Sequence, residues 1–483
     1  MAIPATNIAL STVNTNLGNA ATAALSLDND RVRSLASNSS ASGSAFSVSS
    51  LASKSGTFIM LTNTSANFTA APTSYGFYFS RQPQLANAFY SVSQNASNSN
   101  LEFTKYYLNS GIRSRTAFRG PGSATLNGFD LSATSSTTSN LFIGTNFFNA
   151  GLLRVGVTKL NSNMQFVAQC YVPGYNTGNY GKVVLDASEN VYFGAFTPIG
   201  ANSTEYILTA LNSSLTTVRW TKYRANSPIY PQCTDGAGNL YATIVNSGDS
   251  GTQRVIKFNS SGTELFQTTT RPIGGGGGTP VCNCNSSGTF AVLSDTYPTA
   301  CLSFYNSAGA FQWARSLGNT TAGGRGVVSV TGTGDVYCVC IGTNVSIYLF
   351  KFNSSGTLIW QRQLTGVIAT GLIPNIFFAQ GELSIVGGAD GVLTVAFTFG
   401  YSDEYDPRYE SGVLSVQTDG SGTGTYAVGG ATFTYAASSL TVAAVGSTTN
   451  ATIAISSISP AAPVAFTPVS ATPGSLTVST VNI

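Results

Sequence analysis

Histidine is absent from the 483-residue chain. That excludes a Ser–His–Asp triad, a His-ligated zinc site and a histidine general base. Charge is scarce as well. Charged residues make up 8% of the chain, where ordinary soluble domains carry about 25%. The 22 Lys and Arg nearly balance the 19 Asp and Glu, and no basic stripe runs through the sequence, which argues against nucleic-acid binding. No apolar run approaches the ~18 residues of a membrane-crossing helix, so no membrane insertion is expected. The first basic residue is Arg31, so the first thirty residues lack the basic start of a secretory signal. Seven cysteines, an odd number, on a chain without such a signal suggest synthesis in a reducing compartment.

Ser, Thr, Asn, Gly and Ala fill the space that charge leaves. The 42% hydrophobic fraction argues against wholesale disorder. Two landmarks recur. The first is a polar turn residue followed by an aromatic or apolar strand: Asn87-Ala88-Phe89, Asn140-Leu141-Phe142, Asn190-Val191-Tyr192, Asn239-Leu240-Tyr241, Thr289-Phe290, Asp335-Val336-Tyr337 and Glu382-Leu383. Its steps are 53, 50, 49, 50, 46 and 47 residues. The second begins at Asn109, Asn161, Asn212, Asn259, Asn306, Asn353 and Asp419, with steps of 52, 51, 47, 47, 47 and 66. A period of about 40–50 residues built only of strands reads as propeller blades.

Residues 229–270 show what one repeat is. Pro231–Thr234 reads as a short strand and Asp235–Asn239 as a turn. Leu240–Val245 alternates with period two, and Arg254–Phe258 follows a polar loop. Asn259-Ser260-Ser261-Gly262 turns the chain, and Glu264–Gln267 makes a fourth strand. Such a four-stranded meander cannot bury both faces alone, but stacked around an axis each one covers the next. Phe266, Trp313 and Trp360 lie seven residues past the turn Asn, and Trp220 lies eight past. A ring there can dock into the seam with the next blade, or be an ordinary strand residue.

The predicted fold is all-β: a seven-bladed β-propeller over residues 56–428, with a small helical module over residues 1–55 and a β-rich segment over residues 429–483. Six blades result if the copy at Asn87 is a cap. Strand 57–62 precedes the first blade and is free to help close the ring. Residues 11–18, 28–36 and 47–52 read as short helices with polar caps. The C-terminal segment carries no charge and reads as a small β domain or an arm packing on a neighbour. Uncovered, it would be an aggregation risk.

The run Met1-Ala2-Ile3-Pro4, Ile8-Ala9-Leu10-Ser11-Thr12-Val13-Asn14, Leu25-Ser26-Leu27-Asp28, Arg31-Val32-Arg33-Ser34-Leu35-Ala36, Phe46-Ser47-Val48-Ser49-Ser50-Leu51 and Lys54-Ser55 resembles the N-terminal module of many tailed-phage virion proteins. Where that family has Gly before the Lys-Ser pair, this chain has Ser53. The resemblance implies a virion component, commonly tail- or fibre-associated, assembled in the host cytoplasm. Val13, Leu17, Val32, Leu35 and Leu51 would then anchor the module to other virion proteins. A homo-oligomer in the particle is the matching expectation. The repeats are similar to bacterial propeller repeats, which implies fold only.

Candidate chemistry is thin. Asp186, Glu189, Asp235, Asp335 and Glu382 sit in or beside turns, and turn chemistry explains them. No carboxylate pair is singled out for glycoside hydrolysis. Cys282/Cys284 and Cys338/Cys340 each point to one strand face; a metal site is one reading and small buried residues the other, which is adopted here. The five-glycine run 274–278 lacks the Lys-Ser/Thr of a phosphate loop. The dense cluster Asp403, Glu404, Tyr405, Asp406, Arg408, Tyr409 falls in the 66-residue step and reads as a loop insertion, either a saccharide or Ca²⁺ contact or a solvated loop. The expected function is a virion structural protein that uses loops 93–101, 245–253 and 401–410 for attachment to host-surface glycan. It is expected to be no enzyme and to need no metal or cofactor. The alternatives are a head or neck decoration protein and a propeller-type carbohydrate-active enzyme.

Overall fold

A computed structural model describes residues 58–62, 78–81, 88–94, 101–107, 112–118, 126–133, 140–149, 152–161, 165–172, 182–198, 204–225, 229–246, 252–270, 280–296, 299–318, 320–321, 326–342, 346–368, 384–387, 392–402, 407–428, 431–445, 467–468 and 479–482. Every regular element among them is a β-strand. The three helices expected within residues 1–55, and with them Val13, Leu17, Val32, Leu35 and Leu51, lie outside the described residues.

The strands form antiparallel meanders. Sheet 1 is Tyr78–Arg81, Ala88–Gln94, Leu101–Tyr107 and Ile112–Phe118. Sheet 2 is Leu126–Ala133, Leu141–Asn149, Leu152–Leu160 and Phe166–Val172. Sheet 3 is Lys182–Leu185, Val191–Pro198, Thr204–Leu211 and Val218–Ala225. Sheet 4 is Ile229–Thr234, Leu240–Asn246, Thr252–Phe258 and Glu264–Thr269. Sheet 5 is Val281–Cys284, Phe290–Thr296, Thr299–Tyr305 and Phe311–Ser316. Sheet 6 is Val327–Val330, Val336–Gly342, Ile347–Phe352 and Leu358–Ile368. Sheet 7 takes Ser384–Gly387, Val392–Ser402 and Pro407–Gln417 from late in the chain. Its fourth strand, Phe58–Thr62, comes from the beginning and pairs from Phe58↔Ser415 to Thr62↔Ser411.

The first strand of each sheet touches the first strand of the next, and that of sheet 7 touches that of sheet 1. The contacts between sheets therefore run in a cycle. Burial follows the same order. Phe142, Val157, Val183, Val191 and Phe193 form a core between sheets 2 and 3. Tyr192, Leu208, Leu240, Ala242 and Phe258 fill the gap between sheets 3 and 4. Tyr241, Val255, Cys282, Phe290 and Tyr305 fill that between sheets 4 and 5. Leu293, Phe304, Trp313, Val336 and Phe350 fill that between sheets 5 and 6. Both faces of an interior sheet are thus covered, one by each neighbour. This is why a strand such as Val336–Gly342 is buried along its whole length, where a half-exposed strand would alternate.

Two sequence readings need correction. The seventh first-landmark, Glu382-Leu383, precedes the innermost strand Ser384–Gly387, whereas in the other six sheets the landmark precedes the second strand. The matching position in sheet 7 is Asp390-Gly391, directly before Val392–Ser402. The long final step of 66 also has a different origin. Val392–Ser402 and Pro407–Gln417 have 11 residues each, where Val336–Gly342 and Ile347–Phe352 have 7 and 6. About half of the excess over 47 lengthens these two paired strands, which only residues 403–406 connect; most of the rest lies in the outer strand Leu358–Ile368 and in residues 369–383.

The boundary after residue 428 falls between Gly424–Val428 and Ala431–Ala437, which pair with each other. Ala431–Ala437 in turn pairs with the outer strand of sheet 6.

Candidate functional site

Within each meander, the connections between strands 1 and 2 and between strands 3 and 4 share one end. The 2–3 connections and the links to the next sheet share the other. The first end is built from tight turns. Asp186 Oδ1 accepts from the backbone N–H of Ser188 and Asn190 at 2.9 Å each, and Oδ2 accepts from Asn190 Nδ2 at 2.8 Å. Asp235 repeats the pattern with Ala237 and Asn239. An Asx side chain that caps its own turn in this way has its oxygens occupied. Glycine takes the left-handed position at Gly238, Gly288 and Gly334. In sheet 3 Glu189 stands there instead, with φ 60°. Its carboxylate offsets that cost by accepting from Asn140 Nδ2 at 3.1 Å and pairing with Lys159 at 3.3 Å, both across the seam to sheet 2.

Neighbouring turns are then tied side by side. Tyr192 donates its hydroxyl to Gly238 O at 3.0 Å, Tyr241 to Gly288 O at 2.7 Å and Tyr337 to Thr418 O at 3.3 Å. Four large rings on outer strands reach the turn that follows the third strand of the next sheet. Trp220, Phe266, Trp313 and Trp360 lie against Gly262, Gly309, Gly356 and Gly420, where an added Cβ would come within 2.6–2.8 Å of the ring. The indoles also donate: Trp220 Nε1 to Ser260 O at 3.1 Å, Trp313 to Ser354 O at 2.9 Å and Trp360 to Thr418 O at 3.0 Å. Seam docking is therefore the reading of these rings that holds.

A lysine on the third strand completes the pattern, and the sequence reading missed it. Lys159, Lys257 and Lys351 sit 4.9, 4.9 and 5.2 Å from the ring centroids of Phe142, Tyr241 and Tyr337. Lys257 pairs with Asp235 at 3.0 Å and Lys351 with Asp335 at 3.3 Å. The signal was legible, since each lysine lies two residues before a turn Asn. Burial pushes the Asp235 carboxyl up, but the bonds from Asn239 and Lys257 outweigh it and hold it below the usual range. Bonds from Ser421 likewise lower Asp419. Glu264, at the same end, accepts from Gln267 at 2.7 Å. The carboxylates seen at this end are all spent on turns, ion pairs or local bonds.

All seven cysteines are buried and free, in agreement with the small-residue reading, and no group of metal-ligating side chains occurs among the described residues. Burial pushes the Cys170 thiol up to about 12 and the Cys301 thiol to about 11.

The opposite end carries connections of unequal length. Loops 93–101, 245–253 and 401–410 each span the connection between strands 2 and 3 of their own sheet, so each leaves from this end. The cluster at 403–410 divides. Asp403, Glu404, Tyr405 and Asp406 lie outside the described residues. Arg408 and Tyr409 are strand positions, paired with Tyr401 and Gly400. The reading as a loop insertion fails there for the reason given above. Ser384–Gly387 pairs only as far as Ala396, and Phe58–Thr62 only from Ser411 onward. Residues 397–402 and 407–410 therefore form a two-stranded ribbon with no flanking strand among the described residues.

No protein-family model matches the chain, and no curated protein matches it. Solved structures do. The polysaccharide lyase Uly1 is 6% identical, with a TM-score of 0.46 over 73% of this chain and 91% of its own. A PL25 ulvan lyase bound to -[GlcA(1-4)Rha3S]- is 9% identical, with a TM-score of 0.39 over 69% and 90%. A mutant of the Aleuria aurantia lectin in complex with α-methyl-L-fucoside is 10% identical, with a TM-score of 0.35 over 60% and 98%. No residue role is carried over from any of them. The expectation that the chain is not an enzyme is withdrawn. A lack of histidine removes only histidine-dependent chemistry; carboxylates and tyrosines remain as acid–base groups.

Proposed function

We propose that the seven sheets are the blades of one seven-bladed propeller, closed by Phe58–Thr62, and that its loop-bearing end engages polysaccharide as a binding or cleaving surface. The contrast between the two ends carries this reading. At the tight-turn end the polar groups are consumed by caps, ion pairs and seam bonds. At the other end the connections vary in length and the sheet 7 ribbon continues past the two flanking strands of its own sheet. Its tip brings Asp403, Glu404, Tyr405 and Asp406 close in sequence to Arg408 and Tyr409. Tyrosine faces with carboxylate and guanidinium groups are suited to sugar rings and their hydroxyls.

The test is a polysaccharide panel scored for both retention and new chain ends. A ligand is expected to bind or be cut, and Tyr405→Ala with Tyr409→Ala is expected to lower that signal at least tenfold at unchanged melting temperature. A panel without binding or cleavage, or a double variant equal to the parent, overturns the proposal.

A second reading rests on the resemblance of residues 1–55 to virion modules. We infer a virion component, displayed on the tail or another exterior site, with this segment contacting other virion proteins. Residues 1–55 fused to a fluorescent protein should co-purify with particles; a fusion left wholly in the soluble fraction removes this reading.

A further inference from the structure

Three of the seven buried thiols face one another. Cys233 lies on the first strand of sheet 4, and Cys282 and Cys284 lie on the first strand of sheet 5. These two strands touch across the seam. Contacts on either side of Cys233 fix their alignment. Gln232 Oε1 accepts from the backbone N–H of Cys282 at 3.4 Å, and Gly236 donates its N–H to Ser286 O at 2.9 Å. Both contacts join residues 50 apart in the chain. The same offset sets Cys233 beside Asn283, between the two facing cysteines. Burial alternates along both strands, and the cysteines take the buried positions. All three share one core with Tyr241, Phe290 and Tyr305. The Cys233 thiol is within hydrogen-bonding reach of both thiols opposite.

The other cysteines have no such partner across a seam among the described residues. Cys338 and Cys340 are two apart on one strand, where neighbours on one face are badly placed to bridge. The same constraint keeps Cys282 and Cys284 from bridging each other, so Cys233 is the partner for either. Cys284 is 9% exposed and Cys282 only 2%. The Lys257 ammonium also favours the Cys284 thiolate, although burial outweighs it and keeps that thiol well above the ordinary range. Burial does the same to Cys233. Both thiols therefore stay protonated while the seam is closed, and they react when it opens locally.

We propose that Cys233 and Cys284 form one oxidisable thiol pair, whose disulfide ties the inner strand of sheet 4 to that of sheet 5. The oxidant is a small-molecule disulfide. The Cys284 thiolate attacks one of its sulfurs, and the first small thiol leaves. Cys233, as thiolate, then attacks Cys284 sulfur and displaces the second. Two protein thiols are oxidised, one small disulfide is reduced to two thiols, and the two cysteine protons end on those thiols. The bridge closes a loop of about fifty residues, long enough to restrict the unfolded chain strongly. A chain made reduced would harden on meeting an oxidising medium.

The test holds the full chain in excess oxidised glutathione, then alkylates, digests and maps it by mass spectrometry. Five of the seven thiols are expected to remain, with Cys233 and Cys284 in one linked peptide pair and no glutathione retained. Cys233→Ser should abolish the bridge and Cys282→Ala should leave it. The linked-peptide map of the parent decides alone if Cys233→Ser does not fold. The bridged chain is expected to unfold in denaturant at least about tenfold more slowly than the reduced chain. Seven thiols after oxidation, a lasting glutathione adduct, or a bridge between any other two cysteines overturns the proposal. Equal unfolding rates of bridged and reduced chains overturn the hardening.

Discussion

Asp235 and Lys257 are 4% and 8% exposed and lie 3.0 Å apart, with Asn239 and two backbone N–H groups sharing the carboxylate. A charge this enclosed is costly to leave without its partner. Asp235→Asn strands the buried Lys257 and is expected to cost about 3 kcal/mol at neutral pH. The sign of its pH dependence follows from the depressed carboxyl pKa. The ion pair stabilises the fold above the unfolded-state pKa near 3.9 and loses its effect as pH falls through the lower folded value. Denaturant melts of parent and variant should differ by a constant amount from about pH 5 to 8 and converge below about pH 4. At this scale the sequence was partly legible. The turn acids were recognised as turn chemistry because Asp and Asn before Gly have a local reason to be there. The partner lysines were not recognised, since a lysine in a strand looks solvent-facing until the neighbouring ring and turn are in place.

At the scale of elements, the recurring unit is an outer-strand ring pressed on the turn glycine of the next sheet. Gly356 has φ 78°, and a Cβ there would lie 2.6 Å from Trp313. Gly356→Ala therefore meets both backbone strain and a displaced indole. The expected loss is about 2–4 kcal/mol, read from the denaturant midpoint. Gly332→Ala, where nothing lies within 4 Å of the added carbon, is the control and should shift the midpoint little. The Asn-x-x-Gly turns and the spacing of the rings were visible in the sequence because hairpin geometry is local. The sheet 7 ribbon was not. An acidic run reads as a loop by composition, yet residues 407–410 are held in strand form by their pairing with residues 399–402.

At the scale of the molecule, the two ends of the chain meet on opposite duties. Phe58–Thr62 supplies the missing strand of sheet 7, and the C-terminal strands cover other edges. A chain begun at residue 56 keeps the closing strand; one begun at residue 63 loses it and bares Ser411–Ser415. The first is expected to melt like the full chain. The second should melt at least about 5 °C lower and form larger species on size exclusion, because an open edge both frays and recruits. Equal melting of the two would remove the closing role of the strand.

The sequence by itself determined the repeat. Turn residues need particular backbone angles and strands need period-two burial, and both are written within a dozen residues. It determined the absence of histidine chemistry in the same direct way. Only the tertiary structure decided which strand completes the last sheet, which outer strands the described C-terminal strands pair with and which carboxylates the turns consume. Those outcomes depend on backbone edges and ring faces brought together from hundreds of residues apart, and nothing local in the chain encodes which edge will be left bare.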